Sequence, residues 1–138
     1  MPTTDVRVEL SDGIAIIAPH GVIDTGCADL VGAALTSLDR SSALRVVVDV
    51  SDGVLQQRSA LARLMEQLHR VVLGGTPVAL VCRRLTGRQL LNRFRPTSIP
   101  VFASLGDALQ AQRFAEAGYG PGWETTPTAR ADDSITAA

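Results

Sequence analysis

Few residues in this chain are equipped for chemistry, and their spacing restricts what they could do. There are two histidines, His20 and His69, and two cysteines, Cys27 and Cys82. Neither histidine has a metal-ligand partner four residues on, so both read as solvated or capping residues. Cys27 and Cys82 are far apart in the sequence. They read as reduced, packed thiols, the alternative being a disulfide if their Cα atoms lie within ~7 Å. Asp24 and Asp49 each follow a strand-like stretch. Paired carboxylates can do acid–base work, but an Asp at a strand end more commonly caps a helix or turn. No Gly-x-Gly-x-x-Gly occurs, and a chain without lysine cannot complete a Gly-Lys-Ser/Thr phosphate loop. With no nucleophile–base pair to quote, the chain is expected not to be an enzyme and to need no metal or cofactor.

The informative stretch is Asp49-Val50-Ser51-Asp52-Gly53-Val54-Leu55-Gln56-Gln57-Arg58-Ser59-Ala60-Leu61. An apolar strand runs into a polar loop, and the loop into the start of a strongly amphipathic helix. A helix N-terminus presents free backbone N–H groups and the positive end of the dipole, both favourable to a phosphate or carboxylate. Ser59 therefore has two readings. It is a plain N-cap, or it is a phosphoacceptor whose modified form would place a dianion at the helix start.

The elements that position this loop follow from apolar periodicity. Val6 to Leu10 alternates apolar and polar residues, Ser11-Asp12-Gly13 is a turn, and Ile14 to Ala18 is a more buried strand, together an N-terminal hairpin. Cys27, Val31, Ala34, Leu35 and Leu38 recur at helical spacing, with Asp24 or Thr25 as N-cap. Val46-Val47-Val48 is apolar on both faces and belongs inside a covered sheet. Leu61, Leu64, Met65, Leu68, Val71 and Val72 form one helical stripe, stopped by Gly74-Gly75. Val78 to Val81 is a further buried strand. Thr86 is the expected cap of a short helix ending at Pro96, and Ile99 to Phe102 a short edge strand. Ser104 to Asp107 resembles a capping box opening a last helix to about Ala117. The order β-β-α-β-α-β-α-β-α describes an α/β domain with a mixed sheet.

The chain has 138 residues, 46% of them hydrophobic and 20% charged, enough for one core and too apolar for disorder. All 13 basic residues are arginine, yet the net charge of -1 gives no global cationic field for nucleic acid or acidic lipid. No apolar run would span a bilayer and no signal peptide is visible, so a cytoplasmic protein without membrane insertion is expected. One domain over 1–118 is expected. Residues 119–138, rich in Gly, Pro, Thr and Asp, read as a flexible C-terminal tail.

Several of these segments share an order and spacing with one family. Gly21-Val22-Ile23-Asp24, Val46-Val47-Val48-Asp49-Val50-Ser51 and the loop before Leu61 resemble the STAS domain of bacterial anti-sigma factor antagonists. Gly74-Gly75-Thr76-Pro77-Val78-Ala79-Leu80-Val81 is similar to that family's helix-end glycine and following strand. Ser104-Leu105-Gly106-Asp107-Ala108-Leu109 is similar to its last helix. The likeness runs from about Val6 to Ala117. It implies a STAS-like single domain with a mixed four- to five-stranded sheet and about four α-helices. It also implies a non-enzymatic regulatory role, binding an anti-sigma factor or serine-kinase-type regulatory protein and so affecting sigma-factor-dependent transcription. The partner-binding loop would comprise Asp24, Gln56, Gln57, Arg58, Ser59 and Leu61. Set against the family's Asp-Ser-Ser/Thr-Gly-Leu, Gln57 stands at the Asp, Arg58 at the usual phosphoacceptor, Ser59 at the second hydroxyl and Ala60 at the Gly. The phosphoacceptor loop is thus degenerate, with Ser59 its one remaining hydroxyl. The alternative role is an accessory subunit of a membrane transport complex, as for STAS proteins that accompany phospholipid transporters.

Overall fold

The structure, a computed structural model, describes residues 5–38 and 45–116. The expected boundary at 118 and the tail over 119–138 lie outside the described residues. In chain order the elements are β1 (Asp5–Ser11), β2 (Ile14–Val22), α1 (Thr25–Leu38), β3 (Arg45–Asp49), β4 (Gly53–Val54), α2 (Arg58–Leu73), β5 (Val78–Val81), α3 (Leu85–Phe94), β6 (Val101–Phe102) and α4 (Leu105–Glu116). The chain divides into two compact units, residues 1–108 and 109–138. The first holds every described strand, α1 to α3 and the opening turn of α4. The described part of the second is the remainder of that helix.

The main path of the sheet is β1-β2-β3-β5-β6, and β4 pairs with the end of β2 off this path. β1 is antiparallel to β2, while β2, β3, β5 and β6 run parallel. The hairpin turn explains its own sequence. Asp12 at φ 53° and Gly13 at φ 79° are the two left-handed positions that a two-residue turn needs to match strand twist. β3 and β5 are buried on both faces, as the continuous Val-rich runs require.

The core gathers one face of the sheet (Ala15, Ile17, Val46, Val48, Val78, Leu80) with Val31 and Leu35 of α1 and Leu61, Leu64 and Leu68 of α2. Each of the Val, Ile and Leu side chains among them is worth ~1.5–3 kcal/mol relative to exposure. α1 and α2 meet closely at Gly32, where a Cβ would stand 2.7 Å from the Gln67 side chain. Cys27 and Cys82 are both free and buried in this core, which is the packed-thiol reading.

Three local expectations are corrected. β4 was not anticipated, its two residues lying within the stretch read as loop. Ser59 is not the N-cap of α2, since the helix begins at Arg58 and the cap position is an extended Gln57 without a side-chain bond. Likewise Thr86 does not cap α3, which begins at Leu85 after an extended Arg84. In contrast, Asp24 Oδ1 accepts the Cys27 N–H at 2.8 Å as the cap of α1, and Ser104 Oγ accepts the Asp107 N–H at 3.1 Å at α4. β1 is also more exposed than its alternation suggested. Val6 packs on the core, but Val8 and Leu10 remain 48% and 56% exposed at the sheet's edge.

Candidate functional site: the corner at the carboxyl edge of the sheet

The parallel strands β2, β3 and β5 all end on the same edge, and three loops meet there. Asp49 Oδ1 accepts the Ser51 N–H at 3.0 Å, and Gly53 N–H donates to the Val50 carbonyl at 3.0 Å. These two bonds fold the chain back on itself immediately after β3. The returning segment is β4. It pairs in parallel with the end of β2, Gly21 opposite Gly53 and Val22 opposite Val54, and Ile23 N–H donates to the Val54 carbonyl at 3.0 Å. The stretch after β3 is therefore anchored to β2 before it reaches α2.

Ser51 and Asp52 tie the corner to the end of β5. Buried Ser51 accepts the Arg83 N–H on its Oγ at 3.1 Å. The Arg83 guanidinium donates to Asp52 Oδ1 at 2.9 Å, and His20 Nδ1 lies 3.9 Å from Asp52 Oδ2. Arg88 donates to the Cys82 and Arg83 carbonyls at 2.9 and 2.8 Å, holding the turn into α3. In the first turn of α3, a Cβ at Gly87 would meet Cys82 Sγ, so the helix and the end of β5 approach closely there.

The residues singled out from sequence separate into two groups. Gln56, Gln57, Arg58 and Ser59 are exposed together at the start of α2. Asp24 and Leu61 do structural work: Asp24 caps α1, and Leu61 is buried in the core beneath the loop. Asp24 and Asp49 each accept a backbone N–H, so both carboxylates are occupied as caps and turns. The first bond inside α2 is Leu61 N–H to the Gln57 carbonyl at 3.1 Å. The amides of Arg58, Ser59 and Ala60 thus precede any acceptor within the helix, and they are the donors an anion would meet.

Arg58 occupies the first helical position with no ion pair or hydrogen bond to a described residue. A cation there is disfavoured by ~0.3–1 kcal/mol. Val54 of β4 and Leu85 at the start of α3 are exposed apolar residues, at 43% and 61%. Leu55 lies against the start of α3 near Gly87. Sequence reasoning quoted Asp52 and Val54 within the loop without giving either a role, and passed over Arg83, Arg84 and Leu85. The signal that could have found the arginines is the pair Arg83-Arg84 directly after the Val78–Cys82 run, on the same sheet edge as Asp49 and Asp52.

Burial, with the Asp24 carboxylate adding to it, pushes the Cys27 thiol up from 9.0 to about 11. Cys27 is thus an inert thiol at neutral pH. No cluster of metal-ligating side chains occurs among the described residues, and no described helix is long and apolar enough to cross a membrane.

No protein-family model and no curated protein matches the sequence significantly. Solved structures do match. An anti-sigma factor antagonist from Mycobacterium paratuberculosis is 23% identical with a TM-score of 0.66, over 80% of this chain and 95% of that one. A variant of RsbS from Moorella thermoacetica is 15% identical with a TM-score of 0.68, over 81% and 97%. The anti-sigma factor antagonist SpoIIAA in its unphosphorylated form is 12% identical with a TM-score of 0.59, over 79% and 98%. SpoIIAA, a Bacillus cell-fate determinant, has also been solved in a phosphorylated form. These likenesses establish the fold.

Proposed function

We propose that this chain, whose fold is the STAS fold of the anti-sigma factor antagonists, is a non-enzymatic regulatory binding domain. It binds an anti-sigma factor or serine-kinase-type regulator in the cytoplasm through the corner built on the 49–58 loop, and so affects sigma-factor-dependent transcription. It acts without inserting into a membrane or contacting nucleic acid. The observation that supports this reading is Arg58 itself. Its guanidinium has no partner among the described residues, and it stands at an exposed helix start four residues after exposed Val54 of β4, the strand that anchors this stretch to β2. An arginine beside apolar surface is a frequent interface anchor, because its planar fork can hold a carboxylate while its stem packs.

The same residue removes the usual switch. Arg58 stands where the family carries its phosphoacceptor, leaving Ser59 as the one hydroxyl in the turn. Phosphate at Ser59 would meet free amides and the Arg58 cation, so the modified state would be stabilised if a kinase produced it. Binding is nevertheless expected to proceed without stoichiometric phosphorylation.

Affinity capture from cytosol and from solubilised membranes identifies the partner, and recovery of a transport ATPase from membranes alone would favour the accessory-subunit role. Calorimetry of Arg58→Glu against the captured regulator then tests the corner. A loss of ~2 kcal/mol or more is expected for a buried pair, and under ~1 kcal/mol for a rim pair. Unchanged affinity would remove this surface from the binding reading. Intact-mass measurement after incubation with partner and ATP should show no stoichiometric phosphorylated species at Ser59.

A further inference from the structure

We infer that the outer edge of β1 is a self-association surface, on which a second copy of this chain pairs antiparallel through its own β1. This inference stands apart from the proposed partner corner. β1 ends the sheet path, and its outer edge has no strand partner among the described residues. A seven-residue edge (Asp5–Ser11) of this kind presents a row of N–H and C=O groups that no described strand pairs. The exposed apolar side chains Val8 and Leu10 stand on this same strand. Proline is absent from it, and its three charged residues, Asp5, Arg7 and Glu9, alternate with the apolar ones and so share one face.

The sequence of the strand selects both the occupant and the register. Opposite residues of an antiparallel pair share a face, so two copies whose helix layers lie on the same side must pair even with even and odd with odd. Centred on Val8, the pairing sets Val8 against its own copy, Val6 against Leu10, Arg7 against Glu9 and Asp5 against Ser11. Both charged contacts between the copies, Arg7 to Glu9 and Glu9 to Arg7, are then attractive, and the apolar residues meet one another. Centring on Arg7 sets Arg7 against itself and Asp5 against Glu9. Centring on Glu9 sets Glu9 against itself. Both of these registers oppose like charges, which is destabilising, and registers centred on Val6 or Leu10 overlap over only three residues of β1. Arg7 is available for the exchange, since its contact with Asp5 is a long 3.9 Å pair between two largely exposed side chains. The two-fold relation reverses the strand direction of one copy against the other. The carboxyl edges of the two sheets then face opposite ways, and both partner corners stay open.

The test uses the full chain in sedimentation velocity or light scattering from about 1 μM to about 1 mM, a range spanning ~4 kcal/mol of association free energy. Wild type is expected to pass from monomer to dimer within it. Arg7→Glu and Glu9→Arg, each at an exposed position, should keep the wild-type circular dichroism spectrum and each weaken association tenfold or more. An equimolar mixture of the two variants should associate again, because each copy then offers the other opposite charges in the Val8-centred register. The double variant Arg7→Glu/Glu9→Arg should dimerise alone. A wild type that stays monomeric across the range overturns the inference, leaving the edge to another segment of this chain or to a different protein. A dimer indifferent to both single changes, or variants that fail to associate when mixed, overturns it equally.

Discussion

Gly53 connects the sheet to the corner proposed as the partner surface, and replacing it with alanine should loosen both. A Cβ at Gly53 would stand 2.5 Å from Ile23 Cδ1 and 3.0 Å from Ile23 Cγ1, against the 3.5–4.0 Å at which carbon atoms rest. Ile23 is fully buried in the core, where close packing makes displacement of its side chain costly. The strain must lift β4 from β2, through the Gly21–Gly53 and Val22–Val54 pairs and the bond from Ile23 N–H to the Val54 carbonyl. Overpacking of this kind costs ~1–3 kcal/mol. Gly53 is not among the positive-φ glycines, so alanine suits its backbone and returns ~0.4–1 kcal/mol by restricting the unfolded chain. The net expectation is a loss of ~1–2 kcal/mol, read as a lower urea midpoint with an unchanged m-value. The decisive comparison adds Ile23→Val, which deletes Cδ1, the nearest obstructing atom. Alone, that change should cost ~0.5–1.5 kcal/mol. Combined with Gly53→Ala it should recover ~1 kcal/mol relative to the sum of the two. Strict additivity, within ~0.5 kcal/mol, would refute the proposed collision. So would a Gly53→Ala protein as stable as wild type.

Two further expectations concern Cys27 and its neighbour. The unfolded thiol ionises near 9 and the folded one near 11, so the unfolded state loses its proton first as pH rises. This contribution is complete below about pH 9 and lost between about 9 and 11; denaturant titrations should show a decline of ~2–3 kcal/mol that is absent in Cys27→Ala. Asp24→Ala should cost ~1 kcal/mol through loss of the α1 cap. Asp24→Asn should keep most of the cap yet lower the Cys27 titration midpoint followed by thiolate absorbance, because only the charge is removed.

The parts of the fold that were legible in the sequence are those whose signal is local. The Asp12-Gly13 turn, the Val46–Val48 run and the stripe from Leu61 to Val72 each carry their own periodicity or backbone requirement. They place the strands and the long helix without knowledge of what those elements touch. β4 carries no such signal. Its two residues become a strand only because Gly21 and Val22, some thirty positions earlier, offer a free edge. The caps of α2 and α3 failed for a related reason. Ser59 and Thr86 have the right chemistry for a cap, but β4 and the Arg83–Asp52 tie decide where the backbone turns helical. Each helix starts just before its hydroxyl. The exposed group Gln56 to Ser59 was visible as the degenerate loop of a resemblance. The arginines that flank it at the end of β5 were not, because only the parallel pairing of β3 with β5 brings Arg83 to Asp52.

The spatial order of the sheet has a consequence for how the protein is made. Along the path β1-β2-β3-β5-β6 the strands stand in the order in which they leave the ribosome. Along this path no strand has to be inserted between two that are already paired, and each new strand docks on the edge most recently formed, whereas β4 returns to the end of β2. The hairpin of β1 and β2, closed by a two-residue turn, is the cheapest part to assemble, and every later addition closes a loop of about one strand and one helix. Growth proceeds at the youngest edge while the outer edge of β1 stays at the opposite margin, and the two residues of β6 end the described path with a strand too short to recruit another chain. Removing residues from the C-terminal side therefore peels the sheet from one margin and leaves no vacancy in its middle. Nascent chains should become protease-resistant in steps, one strand–helix unit at a time.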